Sequence, residues 1–191
     1  MKNIKSDLRS HYLKLRSKFT SQQIDNFSIE IVNRCLELNL WNKSIYHLFM
    51  SSEQNNEIDT SILLSVLQGK DKQIVIPKIL DHYELEHYLL ADQTPFKRTR
   101  WGIPEPQSGI KINSNQIDVV FVPLLIFDLQ GHRIGYGKGY YDRFLAKCRK
   151  ETIKVGLSYF DPIERIEDIQ SHDIPINFGI TRDRIYEFSS E

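Results

Sequence analysis

A turn rich in glycines and cations, between residues 131 and 142, contains the residue types best suited to chemistry. Four glycines are spaced through it, at Gly131, Gly135, Gly137 and Gly139. Glycine adopts positive φ without strain and lets the backbone approach a ligand closely. Arg133 and Lys138 add positive charge, and the N–H groups at the start of a following helix suit an anion, phosphate above all. The turn therefore predicts a phosphate site, although a tight connection explains the glycines alone equally well.

Two common phosphate motifs are absent from this turn. The pattern GxxxxGK[ST] fails because Lys138 is followed by Gly139, and the pattern GxGxxG fails because the glycines run GxGxG. The combination of four glycines with an arginine, a lysine, two tyrosines and Asp142 is more specific than the glycines by themselves.

The turn belongs to a longer pattern of residues. Val122-Pro123 precedes Phe127-Asp128, GHRIG at residues 131–135 and GKGYYD at residues 137–142. Shorter stretches occur in order along the chain: KSDLR at 5–9, EIDT at 57–60, WGIPEP at 101–106 and HDIP at 172–175. Together these residues resemble the 5-formyltetrahydrofolate cyclo-ligase family, also called 5,10-methenyltetrahydrofolate synthetases. The long Gly/Tyr motif is the most specific part of the resemblance.

The resemblance implies ATP and Mg²⁺ as cofactors. ATP would contact residues of the first helix and of the turn: Lys5, Ser6, Asp7, Leu8, Arg9, Arg133, Ile134, Gly135, Tyr136, Gly137, Lys138, Gly139, Tyr140 and Tyr141. Arg133 and Lys138 would be the catalytic cations that hold the triphosphate. Asp142 and Asp173 match the family's magnesium-binding aspartates, and magnesium needs only a few carboxylate oxygens beside phosphate and water.

The implied reaction converts 5-formyltetrahydrofolate and ATP into 5,10-methenyltetrahydrofolate, ADP and phosphate, through phosphorylation of the formyl oxygen and ring closure by N10. The reduced folate would contact Met50, Glu57, Trp101, Tyr136, Gly137, Lys138, Gly139 and Tyr140. Glu57 would contact the pterin or N10 region. Leu124 and Ile126 stand where the family usually has small residues, and this bears on the shape of the folate pocket.

A first helix, predicted over residues 4–19, carries the N-terminal part of the pattern. Its apolar residues recur at helical spacing, and Lys5 and Arg9 lie one turn apart on one face. These two residues belong to a basic stripe that also contains Lys2 and Arg16. Such a stripe is typical of a solvated helix face, or it points over the rim of a pocket.

The remaining elements alternate between strand and helix. Strands are predicted over residues 44–50, 73–77, 85–90, 118–123, 152–158, 178–181 and 184–188. A capping box at Thr20 and Gln23 opens a second helix, and further helices are predicted over residues 59–68 and 139–150. Residues 91–117 are predicted to form a long loop of the kind that is often functional. The order predicts an α/β fold with three layers, α/β/α, and a mostly parallel central sheet in a single domain, residues 1–191.

Composition and charge restrict the class of function. Twenty-five acidic side chains balance twenty-five basic ones, and zero net charge argues against a nucleic-acid binder. Cys35 and Cys148 are far apart and predict free thiols, and no zinc-ligand spacing occurs. No apolar run is long enough to span a membrane, and no signal-peptide pattern follows the basic N-terminus. We expect a cytoplasmic monomer that acts on a small molecule, without nucleic-acid or membrane partners.

Three other functions fit parts of the sequence. A non-catalytic sensor on the same fold would bind ATP or folate without releasing ADP. A phosphosugar isomerase on a related sheet would bind phosphate and turn over without ATP. A polyanion-binding role for the basic first helix would show steep salt dependence of RNA binding, but the neutral net charge argues against it.

Overall fold

The chain folds into strands and helices within the residues that the computed structural model describes, which are 3–80, 83–100 and 102–188. The strands, in chain order, are β1 (Ile45–His47), β2 (Gln73–Ile79), β3 (Leu85–Leu89), β4 (Phe96–Arg98), β5 (Pro104–Pro106), β6 (Val119–Pro123), β7 (Ile126–Phe127), β8 (Arg133–Ile134), β9 (Ile153–Leu157), β10 (Phe178–Ile180) and β11 (Ile185–Glu187). The helices are α1 (Lys5–Arg16), α2 (Ser21–Leu36), α3 (Ser61–Gly69) and α4 (Tyr140–Leu145).

Seven strands form the central sheet, in the order β11-β10-β9-β6-β1-β2-β3. The strands from β10 to β2 run parallel, and the edge strands β11 and β3 are antiparallel to their neighbours. In the central register Val119 lies opposite both Tyr46 and Ile153. Strand β6 is apolar and almost wholly buried, as expected for a strand covered on both faces. The predicted mostly parallel sheet is confirmed.

Helices cover both faces of this sheet. On one face, Ile31 of α2 and Leu63 of α3 share a buried core with Phe121 of β6. On the other face, Phe144 of α4 shares a second core with Val120 of β6. Alternate residues of β6 point to opposite faces, which is why neighbouring residues enter different cores. The predicted three-layer α/β/α arrangement is therefore confirmed.

Helix α1 lies against the short hairpin β7–β8. Its buried Leu8 joins a small core with Ile126 and Ile134 of that hairpin. Because β7 follows closely after the carboxyl end of β6, this contact brings the polar residues of α1 to the edge where the parallel strands end.

The predicted start of α2 is confirmed, and two predicted helix ends differ from the structure. The Thr20 side chain accepts a hydrogen bond from the Gln23 N–H at 3.2 Å, and the Gln23 side chain accepts one from the Thr20 N–H at 2.9 Å. Helix α1 ends at Arg16, and α4 ends at Leu145 instead of residue 150. From the second residue after each end, the backbone N–H groups bond to carbonyls three residues back, which tightens the last turn and stops the α-helix.

The prediction of a structureless loop over residues 91–117 was wrong. Strands β4 and β5 pair as an antiparallel hairpin, with Lys97 opposite Glu105, and Ser114–Gln116 forms a 3-10 turn. Every residue of β4 is exposed, so the hairpin lacks the apolar alternation that reveals a strand in sequence. Trp101 and the residues at 81–82 lie outside the described part of the chain.

No helix among the described residues is both long and apolar enough to cross a membrane.

Candidate active site

The glycine-rich turn lies at the carboxyl edge of the parallel strands. It connects β8 to α4, directly beyond the end of β6, and ligands of open α/β sheets bind at this edge. Gly137 and Gly139 both adopt positive φ, at 82° and 69°. These values favour glycine because a side chain would strain the backbone there. The turn therefore has the backbone conformation that the sequence predicted.

Arg9 of α1 packs directly against this turn. Its Nε donates to the carbonyl of Gly135 at 2.9 Å. A Cβ atom at Gly137 would lie only 2.7 Å from the Arg9 Cζ. Helix α1 and the turn are therefore in contact, and Gly137 is needed both for its φ and for this close approach.

Arg133 is buried beneath the turn in an ion pair with Asp142. Its Nη2 donates to Asp142 Oδ1 at 2.8 Å, and its Nη1 donates to the carbonyl of Ile174. The Ile174 N–H donates to the same Asp142 oxygen at 3.1 Å. Burial lowers the pKa of Arg133, and the charge of Asp142 opposes this shift. The structure thus joins a predicted catalytic cation to a predicted metal ligand, beside the segment that contains Asp173.

Lys5 forms an ion pair with Asp173, the second predicted metal ligand. The Gln170 N–H also donates to Asp173 Oδ2, at 2.7 Å. Burial by itself would raise the pKa of Asp173, but the hydrogen bonds from Lys5 and Gln170 outweigh it and hold the pKa below its usual value. The start of α1 is therefore tied to the same segment that contacts Asp142.

The two aspartates leave part of their oxygen donors unused. The hydrogen bonds of Asp142 go to Oδ1, and those of Asp173 go to Oδ2, so within the described residues each retains one oxygen without a hydrogen bond. Two such oxygens beside the predicted phosphate site are a donor set that would fit Mg²⁺, which completes its shell with phosphate and water. Across the described ranges, no group of three or more His, Cys, Asp or Glu side chains is placed to hold a metal ion. A metal at the two aspartates would therefore depend on ligand and water oxygens as well.

A hydrogen-bond chain connects the turn to the buried Glu57. The Tyr136 hydroxyl donates to Glu57 Oε1 and accepts from Arg16 Nη2, and the Ser52 N–H donates to Glu57 Oε2 at 2.7 Å. Arg16 and Glu57 are 3% and 8% exposed. Burial raises the pKa of Glu57, whereas Tyr136, Arg16 and Ser52 act to lower it. The chain therefore stabilises a carboxylate in a place where burial by itself would favour its neutral form.

Glu57 also lines an open cavity of about 710 Å³. Met50, which follows the end of β1, lines the same cavity, as do Phe19 and the hairpin residues Arg98 and Pro104. The volume lies within the range of roughly 300–1,000 Å³ that is typical of small-molecule sites. The predicted folate-side residues Met50 and Glu57 thus share one cavity, and Tyr136 links it to the turn.

Sequence reasoning missed the roles of three arginines. Arg16 was in the basic stripe but was not distinguished from solvated charges. Arg143 Nη2 donates to the Lys138 carbonyl, and its Nε donates to the Tyr83 carbonyl at 3.0 Å. The signal for Arg143 is its position four residues after Gly139, whose missing side chain leaves room for the guanidinium. The third, Arg98, is in the hairpin that was predicted as loop.

Comparison with known proteins agrees with this geometry. The model of the 5-formyltetrahydrofolate cyclo-ligase family matches residues 1–178. The 5-formyltetrahydrofolate cyclo-ligase of Haemophilus influenzae is 28% identical over 181 residues, which are 90% of this chain and 94% of the relative.

Solved structures show the same architecture. The NMR structure of Aquifex aeolicus 5,10-methenyltetrahydrofolate synthetase has a TM-score of 0.83 at 28% identity, over 98% of this chain and 94% of that one. A 5,10-methenyltetrahydrofolate synthetase from Mycoplasma pneumoniae, at 20% identity, shares the fold with a TM-score of 0.73, over 93% and 98% of the two chains. Since the family model spans nearly the whole sequence and the motifs occur in order, the chain belongs to the 5-formyltetrahydrofolate cyclo-ligase family.

Proposed function

We propose that this protein uses ATP to convert 5-formyltetrahydrofolate into 5,10-methenyltetrahydrofolate, with release of ADP and phosphate. The observation that carries the proposal is the position of Tyr136. This residue belongs to the glycine-rich turn, and its hydroxyl bonds to Glu57, which lines the cavity. The proposed phosphate site and a cavity of suitable size for a folate would therefore be neighbours, as transfer between two bound substrates requires.

The reaction needs ATP because a formamide oxygen is a poor leaving group. The formyl oxygen on N5 attacks the γ-phosphorus, and the bond to ADP breaks. The resulting carbon carries a phosphate ester and shares the positive charge of an iminium. N10 then adds to this carbon and loses its proton, and phosphate leaves with its oxygen to give the methenyl bridge. The protein contributes positioning and charge neutralisation, as in other phosphoryl transfers.

The proposed roles follow the positions of the cations. Lys138, in the exposed turn, and Arg133, buried beside Asp142, are the proposed catalytic residues. Lys5 and Arg9 reach the same region from α1. Together with the N–H groups of the turn they would hold the triphosphate. The remaining proposed ATP contacts are Ser6, Asp7, Leu8, Ile134, Gly135, Tyr136, Gly137, Gly139, Tyr140 and Tyr141.

Asp142 and Asp173 are the proposed magnesium ligands, through the oxygens that their ion pairs leave unused. Bound there, Mg²⁺ would neutralise charge on the phosphate oxygens. Arg133 and Lys5 balance the charges of the two carboxylates.

The folate is proposed to occupy the cavity, with its pterin and N10 region near Glu57. Met50 lines this cavity, and Tyr136 approaches it through Glu57. The proposed contacts also include Gly137, Lys138, Gly139 and Tyr140 in the turn, and Trp101 outside the described residues. We further propose that the protein is cytoplasmic and that it works as a monomer. Gel filtration in the presence and absence of ligands would test its oligomeric state.

The direct test is formation of the methenyl chromophore from 5-formyltetrahydrofolate and Mg-ATP, with parallel measurement of ADP. We expect Lys138→Ala to lower kcat/KM for ATP by about tenfold or more, since a charged contact to phosphate is lost. The matched control is Lys150→Ala, which removes an exposed charge beyond α4 and should change nothing. Nucleotide binding without ADP release would favour a sensor instead, and turnover of a phosphosugar without ATP would favour an isomerase.

A further inference from the structure

The charges that line the cavity are unevenly distributed. Four carboxylates line it, on Asp25, Glu53, Glu57 and Asp59. Among the described lining residues, Arg98 carries the one permanent positive charge. Glu57 is buried, whereas Arg98 is exposed. Asp25 and Glu53 are exposed as well, and Asp59 is partly buried, so carboxylates line the cavity from its buried end at Glu57 to the solvent, with a single guanidinium among them.

Arg98 is held in place by the β4–β5 hairpin. It lies opposite Pro104 in the hairpin register, and both residues line the cavity, so this face of the hairpin forms one wall. Arg98 Nη1 donates to the Gly102 carbonyl at 3.1 Å. Gly102 in turn lies close to Gln54: a Cβ atom built on it would be 3.4 Å from Gln54 Nε2. The hairpin thus rests on the loop that precedes Glu57.

Lys97 provides an internal comparison on the same strand. It is the neighbour of Arg98 in β4 and is equally exposed. Successive residues of a strand point to opposite faces, and Lys97 is not among the residues that line the cavity. The two cations are therefore close in sequence, but only one of them faces the cavity.

The proposed substrate has the complementary distribution of charge. A reduced folate has a pterin rich in N–H donors at one end and the carboxylates of its glutamate at the other end. The pterin donors suit the buried end of the cavity at Glu57, where a second carboxylate would be repelled. One N–H of the Arg98 guanidinium donates to the Gly102 carbonyl, and its other N–H groups can donate to a carboxylate.

On the basis of the proposed function, we propose that Arg98 binds the glutamate carboxylates of the folate. The contact sets which end of the molecule enters the cavity first, because the pterin is then directed towards Glu57 and the phosphate turn. Arg98 is a binding residue in this proposal and takes no part in the chemical steps.

The test compares two substrates that differ only in the glutamate. KM is measured for 5-formyltetrahydrofolate and for 5-formyltetrahydropteroate, which ends in the benzoate. We expect Arg98→Ala to raise KM for the folate by about tenfold with little change in kcat, since one charge-assisted contact is lost. For the pteroate, the same variant should raise KM much less. Lys97→Ala should change neither KM.

Each other outcome has a distinct meaning. An equal loss for both substrates would show that Arg98 only supports the hairpin, and no loss for either would place the glutamate elsewhere; both results overturn the proposal. Thermal unfolding of the variants checks that the fold is intact, as expected for an exposed side chain. A wild-type protein that turned over neither compound would overturn the proposed function itself, and this proposal with it.

Discussion

At the scale of single residues, the site depends on how charges are paired. Arg133 and Lys5 neutralise Asp142 and Asp173, and the Arg16–Tyr136–Glu57 chain places a cation at one end and a carboxylate at the other. Because Tyr136 has a single hydroxyl proton, accepting from Arg16 leaves that proton directed at Glu57. The hydrogen bonds therefore favour the ionised form of Glu57, although burial still raises its pKa.

The Arg16–Tyr136–Glu57 hydrogen-bond chain predicts how activity depends on pH. Burial raises the pKa of Glu57, and the positive charge of Arg16 limits the rise. Arg16→Gln should therefore raise the pKa of Glu57 further. On acidification, the carboxylate of the variant would become protonated, and activity would fall, at a higher pH than in the wild type. The measurement is the acid limb of kcat/KM for 5-formyltetrahydrofolate against pH, and Arg16→Lys should restore most of the wild-type profile.

Two further variants, one within the hydrogen-bond chain and one outside it, help to interpret this pH experiment. Tyr136→Phe removes the hydroxyl bridge and should lower kcat/KM by about tenfold, the effect of losing one hydrogen bond to a charged group. Arg34→Gln removes an exposed cation that pairs with Glu37 on α2, and it should leave the profile unchanged. A uniform loss of activity in Arg16→Gln, without movement of the acid limb, would show that Arg16 only supports packing.

At the scale of elements, α1 and the glycine-rich turn form a single unit. Three contacts along the helix join it to the site: Lys5 with Asp173, Arg9 with Gly135, and Arg16 with Tyr136. Leu8 anchors the apolar side of the helix in the core beside β7 and β8. Packing of one amphipathic helix therefore sets the positions of all three cations.

The closeness of this contact predicts a selective defect in Gly137→Ala. Alanine at position 137 would have to adopt a φ of 82°, and its Cβ would lie 2.7 Å from Arg9 Cζ. Either the turn or Arg9 must therefore move. We expect KM for ATP to rise by about tenfold or more, with a stability loss of about 1–2 kcal/mol. KM for the folate should rise less, because Gly137 is one of several proposed folate contacts and the cavity residues Met50 and Glu57 lie outside the turn.

Gly69→Ala is the matched control for this substitution. Gly69 is in α3, and nothing lies within 4 Å of a Cβ built there, so the alanine should leave kinetics unchanged and stabilise the helix by up to about 1 kcal/mol. Steady-state kinetics and urea unfolding would measure both effects. Unchanged ATP kinetics in Gly137→Ala would contradict the placement of the triphosphate at this turn.

At the scale of the whole molecule, a buried pair of histidines lies between the sheet and α4. His47 of β1 and His87 of β3 are almost fully buried, and both rings pack on Phe144, with centroids at 4.7 and 4.1 Å. Burial lowers the pKa of His87 to about 4, helped by the charge of Lys147 and opposed by Glu86. Burial and the charge of His87 also lower the pKa of His47.

These histidines predict loss of stability in mild acid. The unfolded chain binds a proton at His87 near pH 6.5, whereas the folded protein binds it near pH 4, so acidification between these values favours unfolding. From pH 7.5 to pH 5, His87 by itself should lower the free energy of unfolding by about 2 kcal/mol.

Urea unfolding at the two pH values would measure this loss. His87→Leu should reduce it by about the same 2 kcal/mol, since the titrating group is gone. His11→Leu, which changes an exposed histidine of α1, should leave it unaltered. An identical pH dependence in His87→Leu and the wild type would assign the acid sensitivity to other groups.

The sequence by itself determined the alternation of most elements, the mostly parallel character of the sheet and the position of the glycine-rich turn. These features depend on local periodicity and on glycine's backbone freedom, which neighbouring residues reveal. Chain folding alone decided that Arg133 is paired and buried, that Arg16 reaches Glu57 through Tyr136, and that an exposed hairpin brings Arg98 to the cavity. The Arg16–Tyr136 and Tyr136–Glu57 contacts join residues that are 120 and 79 positions apart, and no local pattern encodes which distant side chain a charge will meet. The tertiary structure therefore decided how the predicted site residues are paired, although the sequence had indicated most of them.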